Sequence, residues 1–376
     1  MRQFFAALLA MALISPAATG TLQAEESKAY AAFAAGKYLT ALELAQKEAE
    51  GGSKEAYTLI GEIYSEGLGV PEDFHKAADA YAKGADLGDT NAQLSLGLLM
   101  AEGLGVKKDV RMAANLFEQA ADSGNPAAQY NLALMYLQGQ GRAADEAKAA
   151  EWMTKAAESG NSQAQYDLGA FYQFGRGVPL DEKKAAEWTG KAADAGLSAA
   201  QVEYATMLFK GRGVEKDEAK GAKLFFLAAE NGNPVAQNRV ARLYANGLVF
   251  EKDLVQAAKW HLLAREAGVS DFSLDVMLAD LTPEQRVAAE RLVDGYEGGR
   301  ITEDDQSATP PAAPSDPATA PQAAPEATPQ AAGALDSGQP QSLKPPASRE
   351  TTSPKRTEPA GANGTTQPKT HPKGTQ

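Results

Sequence analysis

The sequence repeats itself every 36 residues from Glu55 to Ser270, and the six units follow one another without insertion or deletion. When the units are aligned, one column holds only aspartate and two hold only glycine. The aspartates are Asp73, Asp109, Asp145, Asp181, Asp217 and Asp253. The glycines are Gly67, Gly103, Gly139, Gly175, Gly211 and Gly247, and then Gly88, Gly124, Gly160, Gly196, Gly232 and Gly268. A fixed period of about 20–50 residues is typical of solenoids, because one unit cannot bury its own apolar face.

Each unit has the pattern of two helices joined by a glycine turn. In the third unit the apolar residues of the first helix recur at helical spacing, as Ala128, Leu132, Ala133 and Tyr136. Gly139 suits the left-handed conformation that ends a helix, and Asp145 suits the N-cap of the next one. The second helix has a predicted buried stripe: Ala149, Ala150, Trp152, Met153, Ala156 and Ala157. Since Gly160 ends that helix, each unit is predicted to be an antiparallel helix pair.

The fourth unit carries nearly the whole pattern of a known family. Its matching residues are Ala164, Leu168, Gly169, Tyr172, Gly175, Gly177, Val178, Asp181, Lys184, Ala185, Trp188, Lys191, Ala192, Ala193 and Gly196. They resemble the Sel1-like repeat, a relative of the tetratricopeptide repeat, and the resemblance covers about residues 28–296. It implies an all-α fold, a right-handed α-solenoid of antiparallel helix pairs. It also implies an adaptor function, since members of the family are mostly adaptors.

The units at the two ends of the array depart from the pattern. Residues 25–54 read as an N-terminal capping half-repeat, and residues 271–297 as C-terminal capping helices that begin with a capping box from Thr282 to Gln285. The last helix is predicted to turn Ala288, Ala289, Leu292 and Val293 inward. The sixth unit has Val249 where the other units have the second glycine of their turn. Solenoids need such atypical end units to cover the exposed core.

Outside the array, composition predicts a targeting segment and a tail. Residues 1–24 have the charged start, apolar run and small residues of a signal peptide, with Ala24 or Gly20 as its last residue. The apolar run is too short to span a bilayer comfortably. Residues 298–376 are rich in proline, alanine and threonine and are predicted to be disordered. We therefore expect a periplasmic or secreted protein of a bacterium, without a direct membrane span.

No residue set in the sequence argues for catalysis, a cofactor or a metal site. The chain has no cysteine, and its histidines are not expected to converge, because His75 and His261 belong to distant units of the array and His371 lies in the tail. The glycine turns lack the strand and the Lys-Ser/Thr of a phosphate loop, and the aspartates recur one repeat apart, which favours helix capping. A net charge of −13 disfavours nucleic-acid binding. The tryptophan column, Trp152, Trp188 and Trp260, is interpreted as packing between repeats.

The first helices supply the candidate binding residues. In the related tetratricopeptide arrays the first helices line the concave face, and this geometry selects Tyr130, Leu134, Tyr166, Gln173, Phe174, Thr206, Phe209 and Arg242 as a partner-binding surface. Glu55, Glu62 and Glu66 stand at its beginning. Variable aromatic residues on a groove are typical of interface hot spots. An equally weighted interpretation is that these rings only pad the inner wall of the superhelix.

The sequence thus predicts a non-enzymatic scaffold or adaptor of the cell envelope that binds a protein, such as an envelope regulator or assembly, in its groove. One alternative is a structural envelope protein whose proline-rich tail anchors or spaces it, with peptidoglycan as a contact. Another is a secreted factor that interacts with a host. An enzyme or glycan-binding protein stays open as a minor alternative, because clefts also form from scattered residues.

Overall fold

The computed structural model describes residues 27–296, and within this range the chain is entirely helical. The two capping helices at the start are α1 (Lys28–Ala34) and α2 (Tyr38–Glu50). The first helices of the six units are α3 (Lys54–Glu66), α5 (Thr90–Glu102), α7 (Pro126–Gln138), α9 (Ser162–Phe174), α11 (Ser198–Lys210) and α13 (Pro234–Asn246). The second helices are α4 (Phe74–Asp86), α6 (Val110–Asp122), α8 (Glu146–Glu158), α10 (Glu182–Asp194), α12 (Glu218–Glu230) and α14 (Leu254–Glu266). Helices α15 (Phe272–Ala279) and α16 (Pro283–Asp294) close the described range.

The helix boundaries follow the invariant columns. All six glycines after the first helices adopt left-handed φ angles between 64° and 78°, and their backbone N–H groups donate back into the last turn. All six aspartates N-cap the second helices by accepting hydrogen bonds from backbone N–H groups. The predicted α-solenoid of helix pairs is therefore confirmed, and each column of the sequence corresponds to one backbone requirement.

The second glycine of each turn holds neighbouring units together. A β-carbon at Gly213, which has a φ of 67°, would overlap the carbonyl oxygen of Glu182 at the start of the preceding second helix. Gly105, Gly141 and Gly177 meet the preceding unit in the same way. In the sixth unit Val249 takes this place with a φ of 64°, and Phe250 beside it stacks on Tyr244 at 4.9 Å between ring centroids. The close approach of turn to helix thus explains the glycine at positions 105, 141, 177 and 213, whereas the turn of the sixth unit accommodates a valine.

The first helices lie on the inner side of the array. At the start of the array the first helices α3 and α5 contact each other, whereas no two of the six second helices make comparable contact. The first helices are there the more closely spaced row, and the more closely spaced row is the inner side of a curved stack. Core side chains come from both rows, and Leu132, Met153 and Leu168 are among the largest that are fully buried.

The C-terminal cap corrects one prediction and confirms another. The capping box forms as predicted, because Thr282 accepts from the Gln285 backbone and Gln285 accepts from the Thr282 backbone. Leu292, however, is not turned inward but is 37% exposed. Helix α16 packs on α14 with the face that carries Ala289 and Val293, and Leu292 lies beside that face.

The tryptophan column divides into two environments. Trp260 is buried, with Tyr296 at 5.7 Å between ring centroids. Trp152 and Trp188 are only half-buried, and each ring has a lysine Nζ 3.8 Å from its centroid. Trp152, predicted in the buried stripe of its helix, therefore packs against the core but is only half-buried. The C-terminal cap covers this position only in the last unit, so the earlier tryptophans pack against the core with one face and meet lysine with the other.

Candidate functional site

One face of the first helices points away from the core. At 100° per residue, helix positions 2, 5, 6, 9, 12 and 13 share an arc of about 120°, opposite most of the buried positions. Leu59, Leu94 and Asn238, for example, lie in this arc but are buried. We call the row of helix positions in this arc along α3, α5, α7, α9, α11 and α13 the first-helix groove. It contains every residue that the sequence selected for partner binding, and the structure shows how those residues divide into core, bridging and exposed groups.

Two tyrosines at the centre bridge neighbouring units. The Tyr130 hydroxyl donates to Asp167 Oδ2 at 2.9 Å, and Gln163 Nε2 donates to Asp167 Oδ1 at 3.3 Å. Burial raises the pKa of Asp167, and these two hydrogen bonds oppose the rise. Tyr166 packs partly buried against alanines of α10 and α11. Both rings therefore help to hold the units together while they face the groove.

An arginine that the sequence analysis did not select organises the next unit. Arg212, in the turn after α11, forms an ion pair with Glu203. Gln173, in the amide orientation that satisfies both groups, accepts from Arg212 Nη1 at 3.2 Å. The sequence signal is an arginine in a turn column that holds leucine at Leu68 and Leu104 and arginine again at Arg176. Three charged or polar side chains thus link the turn to α9 and α11.

Three of the selected residues make contacts within the solenoid. The Phe209 ring lies 5.6 Å from that of Phe225, and a β-carbon at Gly221 would lie 2.7 Å from the Phe209 ring. The Thr206 hydroxyl donates to the Val202 carbonyl at 2.8 Å. Leu134 is partly buried against the central core cluster. Phe209 in particular fills the space that a glycine leaves in the paired helix.

Phe174 is the most accessible of the selected side chains. It is 66% exposed at the end of α9, and Leu180, after the same turn, is 65% exposed. A β-carbon at Gly175 would contact Leu180 Cβ at 3.5 Å, so Leu180 lies close to the residue that follows Phe174. The other units place polar, charged or small residues in these two columns: Glu66, Glu102, Gln138, Lys210 and Asn246 in the first, and Glu72, Lys108, Ala144, Lys216 and Lys252 in the second. The fourth unit alone presents an apolar pair here.

The two ends of the groove have opposite charge. Glu62 is half-buried on α3, and Glu66 stands one turn further along. At the other end, Arg239 and Arg242 lie on α13, and Arg242 Nε forms an ion pair of 2.6 Å with the buried Asp271. Burial, and then the neighbouring Arg242, lower the pKa of Arg239. The groove therefore runs from carboxylates through aromatic rings to guanidinium groups.

Glu62 is expected to make stability depend on pH. Burial, and then Glu66, raise the pKa of Glu62 to about 7, whereas the pKa of glutamate in an unfolded chain is about 4.3. The folded state thus holds a proton that the unfolded state releases, so this contribution to stability is present below about pH 4.3 and is lost as pH rises through about 7. The urea midpoint should fall between pH 5 and 8 in the wild type, and less in Glu62→Gln. Glu55→Gln, at an exposed residue, is the control; equal slopes in all three proteins would contradict the assignment.

Residues 27–296 meet neither the requirements of a metal site nor those of a membrane-spanning helix. No group of His, Cys, Asp or Glu side chains in this part of the chain is arranged to hold a metal ion. None of the described helices combines the length and apolar character needed to cross a bilayer. The predicted signal peptide at 1–24 and the predicted tail at 298–376 lie outside the described residues.

These features define an α-solenoid of helix pairs, a class whose inner faces form extended binding surfaces. Six consecutive stretches match the Sel1 repeat: residues 54–89, 90–125, 126–161, 162–197, 198–233 and 234–269. Because they cover more than half of the 376 residues, the chain belongs to the Sel1 repeat family. This family consists in general of protein-interaction scaffolds, and its fold is typically non-enzymatic.

Two solved structures resemble the chain closely enough to compare. One is a protective antigen, present in uropathogenic Escherichia coli strains, that displays an SLR fold; it has a TM-score of 0.61 and 30% sequence identity over 72% of this chain. The chain spans 62% of the length of that antigen. The other is a Sel1 repeat protein from Oxalobacter formigenes, with a TM-score of 0.55 and 27% identity over 65% of this chain and 97% of that one. No curated protein matches the sequence.

Proposed function

We propose that this protein is a non-enzymatic scaffold of the bacterial cell envelope that binds a protein partner in the first-helix groove. The envelope location rests on the signal-peptide pattern of residues 1–24. The binding role rests on the family and on the groove. An apolar surface that a fold does not need is expected to be retained for a partner.

The observation that carries the proposal is the exposed apolar pair of the fourth unit. Phe174 and Leu180 stand in columns where the same backbone carries polar, charged or small residues five times over, so the repeat fold does not require them. Tyr130 and Tyr166 have bridging roles in the solenoid, which leaves Phe174 as the clearest test of binding. Aromatic side chains are enriched among residues that dominate binding energy.

Phe174→Gln is expected to remove binding and leave the fold intact. The substitution copies Gln138, which holds the same helix position in the third unit. Because the ring is exposed, the free energy of unfolding should change by less than about 0.5 kcal/mol. Loss of a hot-spot aromatic residue should weaken partner binding by about 2 kcal/mol, or about thirtyfold. The measurement is affinity capture from solubilised envelopes with both proteins, quantified by mass spectrometry.

Leu87→Ser is the matched control, because Leu87 is also exposed and Ser123 and Ser159 hold its column in later units. A specific partner should be retained by the wild type and by this control and be lost with Phe174→Gln. If all three proteins retain the same proteins, the groove is not the binding surface and the structural alternative gains weight.

A further inference from the structure

The charges of the first-helix groove change sign from one end to the other. Glu55, Glu62 and Glu66 on α3 form no ion pair with any residue of the described range. On α13, Arg239 likewise has no ion pair with residues 27–296, while Arg242 is paired with Asp271. In the centre, Asp167 is hydrogen-bonded to Tyr130, and Glu203 is paired with Arg212. Apart from Asp167, the groove charges without an ion pair in the described range are therefore acidic toward the α3 end, where Glu102 on α5 joins the glutamates of α3, and basic toward the α13 end, where Lys210 on α11 joins Arg239.

The fold places these end groups where water stabilises them poorly. Glu62 faces Tyr30 from α1, Tyr81 from α4 and Glu66 on its own helix, and none of these is a cation. Burial and Glu66 together disfavour its charged form. At the other end, burial and Arg242 disfavour the charged form of Arg239 and lower its pKa, and the nearby Asp271 opposes them only in part. A charge of opposite sign brought to either end would relieve this cost.

We propose that the first-helix groove binds a single polypeptide segment with a basic residue at the α3 end, apolar side chains at the centre and an acidic residue at the α13 end. This inference rests on the proposed function and names the chemistry of the partner. The basic residue meets Glu62 and Glu66, the apolar side chains meet Tyr166 and Phe174, and the acidic residue meets Arg239. A nucleic acid or an anionic lipid is disfavoured, because its phosphates would face the carboxylates.

The length of the segment follows from the helix spacing. From α3 to α13 there are five steps between neighbouring first helices, and helices in contact lie about 9 Å apart. The groove therefore spans about 45 Å between its charged ends. An extended chain covers this distance with about 13 residues, at about 3.4 Å per residue.

The test uses fluorescent synthetic peptides of about 14 residues and the purified full chain at pH 8. The dipolar peptide has two lysines at one end, leucine and phenylalanine among serines at the centre, and two glutamates at the other end. The neutral peptide has serines at both ends, and the acidic peptide has glutamates at both ends. Fluorescence anisotropy gives the dissociation constants. We expect the dipolar peptide to bind about tenfold tighter than the neutral one, and its affinity to rise from pH 6 to pH 8 as Glu62 deprotonates.

Charge reversal of the protein sharpens the test. In Glu62→Lys/Glu66→Lys, the dipolar peptide should bind at least about tenfold more weakly, and the acidic peptide should now bind better than the dipolar one. Circular dichroism and the urea midpoint establish that the variant is folded. The gain of acidic-peptide binding cannot arise from unfolding, so it separates recognition from damage.

The outcomes separate this inference from the proposed function. If the three peptides bind equally and lose affinity with Phe174→Gln, the groove binds polypeptide but charge does not select it, and the inference is overturned. If none of the peptides binds at about 1 mM, the inference is also overturned, while the capture experiment still decides whether the groove holds a protein. Charge-dependent binding that is insensitive to Phe174→Gln would overturn the central apolar contact.

Discussion

Gly213→Ala is expected to destabilise the solenoid by about 4 kcal/mol or more. The backbone of Gly213 has a φ of 67°, which costs a residue with a β-carbon about 1–2 kcal/mol. The added methyl group would also overlap the Glu182 carbonyl of the preceding unit, and a backbone atom cannot move aside as a side chain can. Relief requires the fourth and fifth units to separate, which exposes the alanine-lined core between them.

Gly232→Ala isolates the conformational part of this effect. Gly232 belongs to the same unit and has a φ of 80°, but a β-carbon there would meet no atom within 4 Å. We expect it to cost about 1 kcal/mol, well below Gly213→Ala. Urea unfolding followed by circular dichroism gives both values, and the shape of the transition shows whether the array still unfolds as one unit. Equal midpoints for the two variants would show that the turn does not hold the units together.

Much of the fold could be predicted because backbone requirements recur at a fixed period. The aspartates of one column are N-caps, and the glycines that follow the first helices adopt left-handed conformations. Because this signal occurs six times, the sequence predicts the helix boundaries well. Beyond the last repeat, a prediction rests on a single copy of the sequence pattern. Leu292 was expected in the core because it lies one helical turn from Ala288, and single-copy periodicity cannot distinguish two adjacent faces of a short helix.

The candidate site was less predictable, since its contacts join different units. The sequence selects Tyr130 but not Asp167, although they share a hydrogen bond, because pairing across units depends on the offset between stacked helices. The sequence selects Phe209 as a binding residue of the groove. In the structure its ring packs on Phe225 and occupies the space beside Gly221, both on α12. Comparison of the aligned units was most informative at Phe174, because the residue that differs from the other units is also an exposed aromatic side chain.

Asp271→Ala is expected to destabilise the C-terminal end by about 3–5 kcal/mol. Asp271 is buried, and its carboxylate accepts from Arg242 Nε at 2.6 Å, from Asn238 at 3.0 Å and from the Ser273 backbone at 3.1 Å, where it N-caps α15. Removing it leaves a partly buried guanidinium without this carboxylate, and breaking such a pair by deleting one partner is strongly destabilising. The loss of the N-cap adds about 1 kcal/mol. Urea unfolding at pH 7 measures the change.

The pH dependence of stability distinguishes the ion pair from simple packing at this site. Burial by itself would raise the pKa of Asp271, but hydrogen bonds from Arg242, Asn238 and Ser273 outweigh it and hold the pKa well below its usual range. The contribution is therefore present above about pH 4, the unfolded value, and is lost as the pH falls further. Asp271→Asn keeps a capping side chain but no charge, so it should restore about 1 kcal/mol relative to alanine and remove the acid dependence. If Asp271→Asn is as stable as the wild type at pH 7, the ion pair does not stabilise the cap, and the residue acts there through its N-cap alone.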